Sequence, residues 1–210
     1  YDKQIGFSSD FAASTHLILL ADYHDIGALG FGTPIDNTYL SKGRKYRNFA
    51  ETNYFNHWTE KFAHAGIDLL FPIASISEGG ALEIVRSSNI SCLVNSCLRG
   101  DGISGCGKCW KCFHKNGPLG RSFDITSREI QIFLRKSPMP TTTHVLWALQ
   151  TMGLEDKTPH LVELLTNDYS WWVGFYPPAL ELLQPNYREF ISNSIKQVLE
   201  PMEEPYALES

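Results

Sequence analysis

The chain has 210 residues, 43% hydrophobic and 12% aromatic, enough for one full domain with a sizeable core or a domain plus a smaller unit. Lysine and arginine number 18 against 23 carboxylates, a formal net charge of -5, so nothing global draws the chain to nucleic acid or to an anionic membrane. The longest apolar run, residues 17–21, is far short of the roughly 20 residues that span a bilayer, and no signal peptide or lipidation motif is visible.

In chain order, residues 8–25 open with capping residues and carry Phe11, Leu17, Ile18, Leu20 and Ala21 at helical spacing, which predicts an amphipathic helix. Residues 27–33 form a short apolar run ending in Gly32-Thr33, the pattern of a buried parallel strand whose carboxyl end opens into a loop, where ligands usually bind. The polar loop 34–47 could grip an anion or simply face solvent. From residue 47 to 66, Phe49, Tyr54, Trp58, Phe62 and Ala65 recur at helical intervals and Gly66 closes the run. His57 and His64 lie in it without ligand partners and read as packing or surface residues. A second strand is expected at residues 67–73, followed by a helix opened by Ser75 or Ser77 with Glu78. Strands alternating with amphipathic helices predict an α/β fold with a parallel sheet wound on both faces.

All five cysteines fall next. Cys97, Cys106, Cys109 and Cys112 follow C-x8-C-x2-C-x2-C, among Gly100, Gly102, Gly105 and Gly107, which supply turns. Four thiolates on one zinc would fill a tetrahedral shell, making the metal structural. An iron–sulfur cluster shares the C-x2-C-x2-C rhythm, but the usual following Cys-Pro is missing. Disulfides would need an oxidising compartment and strand one thiol; reduced cysteines point instead to the cytosol. Cys92, beside Leu93 and Val94, reads as a small buried hydrophobe.

Beyond residue 117 the composition turns helical, with helices expected over 121–135, 143–152, 159–166 and 185–199. The aromatic stretch 168–183 reads as buried structure rather than a base-stacking platform, because no basic residues interleave with it. The acidic tail 200–210 is expected to fray. The predicted organisation is an α/β unit at 1–90, a zinc knuckle at 91–117 and an all-helical appendage at 118–210.

The strand ending in Gly32-Thr33, the strand ending in Phe71-Pro72-Ile73, the helix led by Ser77-Glu78, and Ser96-Cys97 with the later Cys-Gly-x-Cys-x2-Cys together resemble the carboxyl-terminal half of the 7-cyano-7-deazaguanine synthase-like branch of the N-type ATP pyrophosphatases, the PP-loop enzymes. The resemblance covers roughly residues 8–115. It implies part of a Rossmann-like (HUP) doubly wound sheet and ATP-dependent adenylation that releases pyrophosphate, with magnesium offsetting the phosphate charge. A small-molecule or peptide carboxylate would be the substrate. It implies nucleotide or substrate contacts at Gly32, Thr33, Asp36 and Ser77, and zinc on the four cysteines. The family's phosphate loop, Ser-Gly-Gly-x-Asp-Ser, is not in these residues, and the chain opens at Tyr1 inside what reads as a folded segment, so the first strands are expected to precede it. Where the family commonly has Ser-Lys this chain has Ser77-Glu78, and Arg99 is the candidate to supply the missing cation. Two other readings stand beside this one. One is a zinc-knuckle module binding nucleic acid or protein through Arg99, Lys108, Lys111, Lys115 and Arg121; the other is an ATP-dependent muramyl-peptide-type epimerase.

Overall fold

The computed structural model describes residues 15–41, 44–97, 99–100 and 105–210, so the first part of the helix expected over 8–25 and the turn at Gly102 lie outside it. Helix α1 is Thr15–Leu20. Strand β1, Ala28–Gly30, pairs in parallel with β4, Asp68–Leu70, in the register Leu29↔Leu69, and Leu29, Leu69 and Leu70 are buried. A separate antiparallel ribbon joins β2, Leu40–Ser41, to β3, Lys45–Tyr46. The expected doubly wound sheet is thus reduced, among the described residues, to two parallel strands. Local chemistry keeps both short: β1 ends at Gly30 and runs on to Gly32 and Pro34, and β4 meets Pro72, which has no N–H for a ladder.

Two helices flank the pair, and both begin where their caps predict. Thr52 Oγ1 accepts the Phe55 N–H at 3.2 Å to open α2, Asn53–His64, and Gly66, at φ 72°, turns the chain out of it. Ser77 Oγ accepts the Gly80 N–H at 2.9 Å to open α3, Glu78–Ser87. Ile18 of α1 and Trp58 of α2 pack on the core that holds β1 and β4; Ile84 of α3 instead joins a smaller cluster with Ile76 and Phe175.

The later segment is helical but less regular than its pattern suggests. Helix α4 is Arg128–Leu134, shorter than the expected 121–135, because Asp124 Oδ1 accepts from both the Thr126 N–H (2.9 Å) and its hydroxyl (2.6 Å), a local turn that competes with helix. Helix α5 is Thr142–Thr151 and α6 is Pro185–Lys196. Residues 159–166 form two 3₁₀ turns, Pro159–Leu161 and Leu164–Thr166, rather than one α-helix. Of the aromatic stretch, Trp172, Phe175 and Tyr176 are fully buried. Residues of both segments, Leu29 and Leu69 with Leu146, Trp147 and Trp172, share one core.

The tail does not fray. The Phe175 N–H donates to Glu200 O at 3.0 Å, the Met202 N–H returns to Phe175 O at 2.8 Å, and Tyr176 Oη donates to Glu209, while Met202 and Leu208 are buried. Its acidic residues face solvent while the apolar ones between them anchor it. Among the described residues no helix is long and apolar enough to cross a membrane.

Helix α3 lies so close to the turn Ser170–Val173 that its glycines are required. A Cβ on Gly80 would stand 2.8 Å from Val173 O and 2.9 Å from Ile76 Cγ2. Gly80→Ala is therefore expected to destabilise by about 1–3 kcal/mol, read as a lower denaturation midpoint, despite alanine's better helix propensity.

Candidate metal centre and a buried polar cluster

The four cysteines of the knuckle converge. Cys97 and Cys109 Sγ are 3.7 Å apart, Cys109 and Cys112 3.6 Å, and Cys106 and Cys112 3.9 Å, and all four thiols lie within 4.8 Å of one another. Sulfurs bound tetrahedrally to one ion at about 2.3 Å are about 3.8 Å apart, so the spacing is that of a single shared cation. It excludes disulfides, whose bonded sulfurs stand about 2.05 Å apart. Two glycines make the convergence possible. Gly105 and Gly107 have φ of 73° and 66°, and a Cβ on Gly105 would meet Asn116 Nδ2 at 2.8 Å and Cys112 Sγ at 3.3 Å. The Cys106 N–H points at Cys97 Sγ (3.3 Å) and Asn116 Nδ2 at Cys112 Sγ (3.8 Å), the outer contacts that orient metal-binding thiolates. Backbone N–H groups of Cys106 and Arg99 pull the Cys97 thiol down to about 6, whereas burial pushes Cys109 up to about 12 and raises Cys112. Without a cation the inner thiols stay protonated; a bound metal is what makes all four anionic.

Cys92 stands apart from this cluster, as its spacing predicts, but it is exposed rather than buried, because the single turn Ser91–Leu93 carries it and Leu93 to the surface.

The residues read as nucleotide- or substrate-facing divide. The chain beyond β1 and the chain beyond β4 run together: the Phe31 N–H donates to Leu70 O (2.9 Å) and the Ile35 N–H to Ile76 O (2.9 Å). This brings Gly32, Thr33 and Asp36 to the same end of the parallel pair as Ser75 and Ser77. Gly32 is exposed and Thr33 half-buried, while Asp36 is buried, its Oδ2 accepting the Glu78 N–H at 2.9 Å. Ser77 is fully buried and engaged as the α3 cap, its hydroxyl donating to Trp172 O and accepting from Gly80. Arg99 does not join them; its guanidinium, largely exposed, pairs with Glu129.

The other basic residues are mostly held within the molecule. Arg121 donates to the carbonyls of Ser91 and Val94, Lys115 lies 3.5 Å from Glu78 Oε1, and Lys111 sits over the Trp110 ring. Of the five cations proposed for a binding face, Lys108 alone is exposed with no contact among those just named.

A second cluster, not anticipated from the sequence, sits at the start of α3. His114 comes from the π-helix Cys112–Asn116 that leaves the knuckle, and His144 from α5; both are fully buried, and their ring centroids are 3.9 Å apart. His114 Nδ1 is 3.0 Å from Glu78 Oε2. His144 Nε2 is 2.7 Å from His114 O, and Trp172 Nε1 donates to His144 Nδ1 at 3.3 Å. Burial lowers His144 to about 3. Burial pushes Glu78 up, but His114, His144 and Lys115 outweigh it and hold the carboxyl well below the usual range. Burial, reinforced by Glu78, raises Asp36 to about 7. His57 and His64, the histidines the helical pattern drew attention to, are half-buried and exposed on α2. The signal for the pair that matters was thin: His114 follows Cys112 by two positions, but His144 stands alone on an apolar helix.

No curated protein and no solved structure matches this chain. Residues 57–207, which contain all four knuckle cysteines together with Glu78, His114 and His144, match a family of unknown function, DUF6395. That match covers more than two thirds of the chain, which therefore belongs to DUF6395.

Proposed function

We propose that this chain is the zinc-bearing part of an ATP-dependent, adenylating enzyme of the PP-loop type, acting on a small-molecule or peptide carboxylate. The observation that carries the reading is the convergence, at the carboxyl ends of two parallel strands, of Gly32, Thr33 and the buried carboxyl of Asp36 at the start of α3, with a four-cysteine centre on the chain that follows α3. Ligands of open parallel sheets bind outside those strand ends.

The roles divide by chemistry. Zinc on Cys97, Cys106, Cys109 and Cys112 has no open position and serves the fold; sulfur spacings near 3.8 Å favour one ion over a cluster of several irons, which would hold the sulfurs further apart. The first amides of α3 are already engaged by Asp36 and Ser77, so the ATP phosphates are not held there and belong with a phosphate loop outside these residues. What this chain supplies is the half-buried Thr33 hydroxyl and the exposed Gly32 backbone just beyond the end of β1. The inward engagement of Arg121 and Lys115 and the pairing of Arg99 with Glu129 argue against a nucleic-acid reader.

The test uses the intact gene product. Titrating its thiols with an organomercurial should release one zinc per chain, and MgATP should raise its melting temperature; Thr33→Ala should shrink that rise and leave the thiol-held zinc unchanged. A visible iron–sulfur absorption would replace zinc in this account. No response of the unmutated protein to MgATP would sink the adenylating reading.

A further inference from the structure

We propose that Glu78, His114 and His144 form a second metal site, distinct from the four cysteines, that takes a zinc-type divalent cation on two imidazoles and one carboxylate.

Geometry comes first. One donor atom from each of the three residues lies within 4.8 Å of the other two. Ligand atoms held tetrahedrally at about 2.0–2.2 Å stand about 3.4 Å apart, so closing the set asks a movement of little more than an ångström. Glu78 Oε2 and His114 Nδ1, at 3.0 Å, are already together.

The hydrogen bonds then fix the tautomers. With the Thr141 hydroxyl directed to Pro140 O (2.8 Å), it accepts at 2.9 Å from His114 Nε2, which then carries a proton. A carbonyl cannot donate, so His144 Nε2, at 2.7 Å from His114 O, carries its proton as well. As neutral imidazoles, both rings therefore turn an Nδ1 lone pair away from these anchors. His144 Nδ1 receives only the long 3.3 Å contact from the Trp172 indole. His114 Nδ1 faces Glu78 Oε2 at 3.0 Å, and both atoms are buried with no other partner. A lone pair pressed against a carboxylate oxygen is repulsive unless a proton or a metal ion lies between them, and the site is built for either. Lys115 does not relieve the repulsion, since its Nζ approaches the other oxygen, Oε1.

The surroundings are those of a ligand set. Metal-binding histidines characteristically donate their second nitrogen to an oxygen, as both do here. Thr141, which holds His114, has φ 49°, an unfavourable backbone for a β-branched residue that the packing maintains. Asp36, anchored on the Glu78 N–H, leaves Oδ1 buried without a hydrogen bond and adds a further carboxyl beside the site. Imidazole nitrogens select zinc, cobalt, nickel or copper over magnesium. Three protein ligands leave a position for water or a substrate oxygen, and the Glu78 and Lys115 side chains beside it are partly exposed, at 17% and 33%.

Cobalt(II) titration of the chelator-treated, reduced protein tests this. Two equivalents should bind, one producing intense thiolate-to-cobalt charge transfer and the other adding weaker bands without it. Glu78→Gln should weaken the second equivalent at least tenfold and leave the charge-transfer band intact; because Glu78 is partly exposed, the variant keeps the test valid even if His144→Ala, at a fully buried position, does not fold. A single equivalent in the unmutated protein, or a second that Glu78→Gln leaves unchanged, overturns the proposal.

Discussion

Cys109→Ser releases the thiol-held metal and unfolds the segment around it. Cys109 is buried and within 3.7 Å of two partner sulfurs, so a hydroxyl there leaves three thiolates round an incomplete shell. Structural zinc contributes roughly 10–16 kcal/mol of apparent binding energy, as much as the whole stability of a typical domain, and that energy is folding energy because the site does not exist in the unfolded chain. The expected result is a metal affinity lowered more than about 100-fold and rapid amide hydrogen exchange over residues 105–117. Cys92→Ser, at the exposed cysteine outside the cluster, should change neither measurement. Retention of metal at unaltered affinity by Cys109→Ser would remove the four-cysteine centre from the account.

The second large effect is expected at Trp172. Its side chain is fully buried, lies against Gly79 closely enough that a Cβ there would be 2.8 Å from the indole Cδ1, and donates through Nε1 to His144. Trp172→Ala removes the largest fully buried side chain and leaves a cavity between α3, α5 and the tail-bound 3₁₀ turn, a loss of about 3–5 kcal/mol. In a chain of this size that corresponds to a fall in melting temperature on the order of 10 °C. Because the thiol centre draws its energy from its own ligands, the folded variant should keep its thiol-held metal. A shift of a degree or two would mean that the indole is not packed as described.

The knuckle was legible because its information is local. Four ligands on a short stretch, with glycines between them, constrain one another through the backbone alone, and Gly105 occupies a conformation and a space that a side chain would not fit. The caps of α2 and α3 and the parallel pairing of β1 with β4 were legible for a similar reason: Thr52, Gly66 and Ser77 act within one turn of their own helices, and apolar strands separated by a helix pair in parallel. The pattern overstated the extent of the sheet, since it counts apolar residues and not the ladder donors that Pro72 lacks and the chain bends that Gly32 and Pro34 introduce.

Tertiary structure alone decided the rest. The tail looked unconstrained because it is acidic, yet Met202 and Leu208 find core sites that only the folded aromatic stretch provides. Arg99 looked placed to meet a substrate, and a carboxylate 30 positions along, Glu129, claims it. Glu78, His114 and His144 come from three elements, the two histidines 30 positions apart, and a lone histidine on an apolar helix reads as ordinary core until packing sets another imidazole 3.9 Å away. Ligands carried on one loop are determined by the sequence, because chain geometry limits where they can go. Ligands carried on separate elements are determined by which faces those elements bury against one another, and here that choice was made by the common core around Trp172.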